Sequence, residues 1–300
     1  MESRDKKRIL VVGGGFAGVE CILKLESYFG NNHNFEITLV SEDNFLLFTP
    51  MLPQVAAGTI ETRHIVTPIR TLIKKTKFYE ARIKNIDPHG KIVTLFGTKE
   101  GRGMRIHYDF LVVALGSQTN FFGMKDVEEN SYKMNTINDA IILRNRIIDL
   151  LEQAENETDP ILRKSLLQIV VVGGGFAGVE TAGEINDFIN EIAEYYPSIN
   201  YKDVKVTLIE ALSGILNGFP EKLAVFAKEK LVERGIEVIL DAGVTSFDGQ
   251  EITLKSQSDS NKVLVGNSSE HRGHYKLKEI KSIQSNTLIW TAGTLSLIHI

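Results

Sequence analysis

The decapeptide VVGGGFAGVE stands at Val11–Glu20 and again, unchanged, at Val171–Glu180. The repeat distance is 160 residues, far beyond the period of a solenoid. Each copy follows a short apolar, valine-rich run, Arg8-Ile9-Leu10-Val11-Val12 and Gln168-Ile169-Val170-Val171-Val172, of the kind found in buried parallel strands. Glycines then fall at Gly13, Gly15 and Gly18, and at Gly173, Gly175 and Gly178. In a strand–turn–helix unit the first glycine permits the tight turn. The second lets backbone approach a pyrophosphate, and the third lets helix and strand pack closely. The helix N-terminus adds free N–H groups and positive partial charge. A lone motif of this kind is weak, but two copies in the right context predict two dinucleotide turns. The fold class expected is α/β, with two Rossmann-like dinucleotide-binding domains.

The end of the second strand of each unit helps to choose the nucleotide. Val204–Ile209 ends at Glu210, a carboxylate placed to accept ribose hydroxyls and repel a 2′-phosphate. Ala211-Leu212-Ser213 follows, without an arginine, so the second site is expected to prefer NADH to NADPH. In the first unit Phe35–Val40 ends at Ser41-Glu42, and either residue can serve the ribose.

Composition narrows the class. The chain has 300 residues, a net charge of −4 and one cysteine. Its length suits two domains, its charge gives no nucleic-acid footprint, and no apolar stretch is long enough to span a membrane. Cys21, in the helix after the first turn, reads as a small packing residue. Thr67–Lys75 predicts a short helix, and Arg82–Ile86 and Lys91–Phe96 predict strands. Tyr108–Gly116 reads as a buried strand. From Thr136 a helix is expected, with Asp139 at capping distance and Leu143, Ile147 and Leu151 on one face, stopping before Pro160. From Gly178 to Glu210 is 32 residues, against about 20 for the simple motif, so a long helix from Val179 to Glu194 is expected. Another should run from Pro220 to Arg234, with Gly235 beyond its end. Polar Ser256–Gln284 reads as a surface hairpin or loop. His271 and His274 within it lack further ligands nearby, so no metal site is expected.

With Asn44–Gly58 (NFLLFTPMLPQVAAG), Tyr108–Gly116, Leu208–Leu216 and Trp290-Thr291-Ala292-Gly293 added to the two turns, the chain resembles a type II NADH dehydrogenase. That family is the single-subunit NADH:quinone oxidoreductase group of the two-dinucleotide-binding flavoproteins. The resemblance implies FAD on the first turn and NADH on the second, an order that identical motifs cannot assign. It places Gly13, Gly14, Gly15, Phe16, Ala17 and Gly18 at the FAD pyrophosphate, with Ser41 or Glu42 at its ribose. It puts Phe48, Thr49 and Pro50 near the flavin, Ile83 near the adenine, and Ala114, Leu115 and Gly116 over the cofactor, with Ala292 and Gly293 also in the cofactor set. Gly173, Gly175, Phe176, Ala177, Gly178 and Glu210 would hold NADH. Glu180 matches a family acid suggested to relay protons. Its twin Glu20 shows that position in the motif does not by itself make an acid catalytic, and the positive end of a helix would favour a carboxylate there in any case.

The domains expected are 1–122 for FAD (first part), 123–289 for NADH with a leading helix, and 290–294 as a return strand to the FAD domain. The resemblance further implies a quinone acceptor and a membrane surface reached through a C-terminal helix. It also implies a peripheral place on the cytoplasmic face of the cell membrane. The oligomeric state is open, a homodimer among the options. The family pattern continues past Thr294, so the C-terminal part is expected to be missing. Leu295–Ile300 (LSLIHI) is expected to be a sequencing adaptor read in frame, and the fragment itself is expected to be inactive. One cysteine excludes the paired-thiol relay of disulfide and sulfide:quinone reductases. Two alternatives stay open: an NADH-dependent reductase of a ferredoxin- or rubredoxin-like protein, and a non-catalytic nucleotide-binding redox sensor.

Overall fold

The computed structural model describes residues 6–96, 103–256, 262–265, 274–277 and 281–297. The chain divides into two compact units. The first comprises residues 1–48, 63–118 and 295–300, and the second residues 49–62 and 119–294.

In the first unit, β1 (Lys7–Val12) leads into α1 (Phe16–Phe29) and then β2 (Phe35–Ser41). With β3 (Lys77–Glu80) and a later strand these form a parallel sheet. A three-stranded antiparallel sheet follows: β4 (Ile83–Asp87), β5 (Ile92–Leu95) and β6 (Arg105–His107). Next comes β7 (Phe110–Val113), and the parallel sheet has the order β3-β2-β1-β7. Alternation along the strands splits the apolar residues between two faces. Val11, Ile37 and Leu39 pack with Val19 and Ile22 of α1. Leu10, Val12 and Val40 pack instead with Val93, Leu95 and Tyr108. The strand expected to be buried over Tyr108–Gly116 is shorter, and Phe110 is 53% exposed. As the edge strand of its sheet, β7 has a neighbour on one side only. The helix expected over Thr67–Lys75 is a single turn, Ile69–Leu72.

The second unit carries α2 (Leu52–Ala56), α3 (Lys125–Asn130), α4 (Ile137–Asn156) and α5 (Pro160–Leu166). Its nucleotide-type core is β8 (Gln168–Val172), α6 (Phe176–Ile192), β9 (Lys205–Ile209), α7 (Glu221–Glu233) and β10 (Glu237–Leu240). Then follow β11 (Ala242–Phe247), β12 (Glu251–Ser256), β13 (Lys262–Val265), β14 (His274–Leu277), β15 (Ser282–Gln284) and β16 (Thr287–Trp290). The main sheet has the order β14-β13-β10-β9-β8-β16. Its β16, β8, β9 and β10 are parallel, while β13 and β14 form an antiparallel hairpin at one edge. A second sheet, β11-β12-β15, covers one face. Between them Val170, Val172, Ile209 and Trp290 pack with Phe247, Ile252 and Leu254.

The helix predicted from Thr136 forms as a capping box. Thr136 Oγ accepts the Asp139 N–H at 3.1 Å, and the Asp139 carboxylate accepts the Thr136 N–H at 2.9 Å. Leu143, Ile147 and Leu151 are buried on its inner face. Pro160 does not merely stop the chain there. It opens α5, with Asp159 accepting the Ile161 N–H as its cap, because proline suits the first helical position. The segment 290–294 also differs from expectation. Trp290 closes β16, pairs in parallel with Val172, and donates its indole N–H to Asn120 O at 3.0 Å. It therefore belongs to the second unit, as does the loop from Thr49 to Thr62. The expected surface segment Ser256–Gln284 contains β13, β14 and β15, and His271 lies outside the described residues. Among the described residues no helix is long and apolar enough to cross a membrane.

Candidate functional site

Both decapeptides fold into the same turn. Gly13 and Gly173 have φ of +104° and +111°, a region that glycine alone adopts freely. Each donates its N–H to the end of the neighbouring strand, Gly13 to Val40 O and Gly173 to Ile209 O, both at 2.8 Å. A Cβ on Gly13 would overlap Ala114 O, and one on Gly173 would come within 2.9 Å of Ala292 N. A Cβ on Gly18 or Gly178 would overlap the carbonyl oxygen of Gly13 or Gly173. These four are packing glycines.

Gly15 and Gly175 are different. Each ends the turn as the helix N-cap, and a Cβ there would meet nothing within 4 Å. No side chain caps either helix, and neither has an acid in its first turn. Clear space thus lies beside Gly15 and Gly175, at helix N-termini whose field favours an anion. That is the cradle a pyrophosphate requires, and it is present twice.

The strand ends settle the pairing of twins. Val40 pairs with Val12 and Ile209 with Val172, so Ser41 and Glu210 occupy equivalent positions. Ser41 is buried, and a Cβ on Gly14 would run into its hydroxyl, just as one on Gly174 would run into the Glu210 carboxylate. Glu42 instead lies on the surface, 3.9 Å from Arg82. Glu210 accepts the Gly174 N–H at 2.5 Å and the Leu212 N–H at 2.8 Å. It thereby braces the turn as well as facing it.

The third strands are also twinned. Ala114 donates to Val12 O at 2.8 Å and Thr291 to Val172 O at 2.9 Å. Gly116 and Gly293 end these segments at φ of +75° and +78°. Leu115 and Ala292 lie between, both half-buried. Ile83 opens β4 and packs, half-buried, against the Leu10–Val93 cluster. Phe48 is held by its N–H on Ile65 O at 2.7 Å, and its ring meets Phe16 edge-to-face with centroids 5.8 Å apart. Thr49 and Pro50 begin the short turn that leads into α2.

The family model described as pyridine nucleotide-disulphide oxidoreductase matches residues 7–295. The chain belongs to that family. Its single cysteine, Cys21, is half-buried and free, and burial pushes its thiol up. Among relatives, the external alternative NAD(P)H-ubiquinone oxidoreductase B3, mitochondrial, of Arabidopsis thaliana is 34% identical over 98% of this chain and 48% of its own length. The external alternative NADH-ubiquinone oxidoreductase, mitochondrial, of Yarrowia lipolytica is also 34% identical, over 96% of this chain and 48% of its own. Among solved structures, NDH2 from Plasmodium falciparum in complex with NADH superposes with a TM-score of 0.81 at 26% identity. It covers 96% of this chain and 55% of that one. The chain therefore spans about half the length of the relatives it matches.

Within this family member the two motif acids part company. Glu20 is exposed, with Lys24 one helical turn on at 3.9 Å. Glu180 is exposed as well, but the half-buried Glu184 stands in the place of that lysine. Burial first, and the Glu184 charge second, push the Glu180 carboxyl up. Glu184 in turn accepts Gln54 Nε2 at 3.2 Å, from α2, which packs on α4 and α6. Among the described residues, the Gln54 side-chain amide oxygen Oε1 and the Thr181 hydroxyl are buried without hydrogen-bond partners. Sequence reasoning missed Gln54, Glu184 and Thr291. The charge reversal from Lys24 to Glu184 was the available signal, since those residues stand four beyond their respective motif glutamates.

Proposed function

We propose that this chain supplies the two nucleotide-binding units of an NADH:quinone oxidoreductase, with FAD at the first turn and NADH at the second. The observation that carries the reading is the contrast at the strand ends: neutral Ser41 at one turn and the Glu210 carboxylate at its twin. A carboxylate there takes a ribose diol and rejects a 2′-phosphate. The names of the relatives, NAD(P)H- or NADH-ubiquinone oxidoreductases, support a quinone as acceptor. They leave the preference for NADH to rest on Glu210.

A bound flavin would supply the redox chemistry, taking a hydride from NADH and passing two electrons to the quinone. The residues of this chain bind and orient. The N–H groups after Gly15 and Gly175 would hold the two pyrophosphates. Ser41 would hold one ribose and Glu210 the other. Ala114-Leu115-Gly116, together with Phe48, would line the first cofactor's site. Glu180, whose carboxyl is pushed above the ordinary glutamate range by desolvation and by the Glu184 charge, is the acid suited to hold or move a proton here. In this reading the enzyme meets its quinone at a membrane surface, on the cytoplasmic face of the cell membrane.

The test is NADH oxidation by the purified full-length protein with a soluble quinone analogue. Rapid turnover with NADH and at least tenfold slower turnover with NADPH is expected. Equal rates with both nucleotides would overturn the role of Glu210. Turnover only with an iron–sulfur protein would overturn the quinone reading, and a flavin that NADH cannot bleach would overturn catalysis itself.

A further inference from the structure

The likeness between the two turns extends beyond the decapeptide to a second aromatic residue at each. Phe16 meets Phe48 edge-to-face at an interplanar angle of 79°, and Phe176 meets Phe219 in the same way at 78° and 4.6 Å. All four rings are between 44% and 52% exposed. Phe48 stands two residues before Pro50 and Phe219 immediately before Pro220, and both lead into helical turns. Phe219 is thus the counterpart, at the second turn, of the residue expected near the cofactor at the first.

The chain is shaped to deliver it. Leu216 donates its N–H to Gly174 O at 2.7 Å, and Phe219 donates to Leu216 O at 3.1 Å. Between them Leu216 itself sits at φ +51° and Gly218 at +93°. A branched side chain rarely adopts that region, so packing of the buried Ile215 and Leu216 must enforce it. The result is a loop tied to the glycine turn, carrying an aromatic ring out of the core beside the clear space above Gly175. Two half-exposed phenyl rings at that lip leave apolar surface in water that a bound ligand would cover.

The geometry points to Phe219 as a nucleotide-binding residue of the second site, forming with Phe176 an aromatic surface against which bound NADH packs. This rests on the reading that the second turn takes NADH. The experiment is calorimetric titration of the 300-residue chain with NADH, using the parent and Phe219→Ala, Phe219→Leu and Phe219→Tyr. Phe219→Ala is expected to weaken NADH about tenfold, which corresponds to 1.4 kcal/mol. Phe219→Tyr should restore most of that affinity and Phe219→Leu should not, while thermal unfolding stays close to the parent. Equal NADH affinity in the parent and Phe219→Ala would overturn the inference and leave the proposed function standing. Full rescue by Phe219→Leu would overturn the aromatic role. A parent chain that binds no NADH would overturn the underlying reading and this inference with it.

Discussion

Glu184 stands one helical turn beyond Glu180, where the otherwise identical first motif has Lys24 one turn beyond Glu20. An attractive pair in α1 is thereby replaced by a repulsive one in α6, and partial desolvation together with the Glu184 charge pushes the Glu180 carboxyl up. Residues four apart on a helix share a face, so the change acts on the acid itself.

Removing that charge should let Glu180 ionise more readily. In Glu184→Gln the Glu180 carboxyl should titrate lower than in the parent, though still above an ordinary glutamate because burial, the larger cause, remains. Carboxyl-carbon NMR over a pH series reads this directly. An unchanged Glu180 titration would show that the two groups do not interact.

The same shift has a consequence for stability. A glutamate whose folded pKa is raised holds its proton more tightly folded than unfolded, so stability falls as pH rises. The fall begins near the ordinary value of about 4.3 and is complete above the raised one. Glu180→Gln should therefore stabilise the chain at pH 7 and have little effect at pH 4, as measured by urea unfolding at both values. A larger gain at pH 4 would reverse the assigned direction.

Glu210 carries two roles that substitution can separate. Its two backbone hydrogen bonds brace the turn, and bonds to a charged acceptor are worth about 1.5–3 kcal/mol each. Glu210→Ala should cost roughly that much stability. Glu210→Gln keeps an acceptor oxygen and removes the charge. The two bonds go to different oxygens, so it keeps only one of them and should lose no more stability than Glu210→Ala, yet lose most of its discrimination between NADH and NADPH. Retained discrimination in Glu210→Gln would place selectivity elsewhere.

Much of this was legible in the sequence because a dinucleotide turn is local. Strand, glycines and helix lie within about twenty residues, and the spacing states the steric demands. The capping box at Thr136 and Asp139 was legible for the same reason. What escaped depends on neighbours far along the chain. Phe110 lies in an apolar run, yet only the sheet order shows that its strand is an edge. Ser41 and Glu42 could be ranked only once the register placed Ser41 opposite Gly14. Pro160 reads as a stop because proline cannot continue a helix, whereas with Asp159 as cap it occupies the first position of a new one. Trp290 reads as the start of a returning strand, whereas its parallel partner is Val172, 118 positions away.

The glycines give the sharpest separation of fold from function. Within one motif, Gly18 and Gly178 are required by packing, since a Cβ would overlap a carbonyl oxygen of the same turn. Gly15 and Gly175 are not, since a Cβ there meets nothing, and their φ of −76° suits alanine. Gly178→Ala should therefore destabilise by about 1–3 kcal/mol. Gly175→Ala should stay within about 1 kcal/mol of the parent, the cost of alanine at a helix N-cap. Its methyl group would nonetheless stand where a pyrophosphate must approach, so NADH affinity should fall more than tenfold in a chain that remains folded. Gly15→Ala should do the same to flavin retention while leaving NADH binding intact, because the two cradles lie in separate units. Thermal unfolding alongside titration with each nucleotide checks all three variants. Normal NADH binding by Gly175→Ala would mean that the open space beside this turn is not the nucleotide's place.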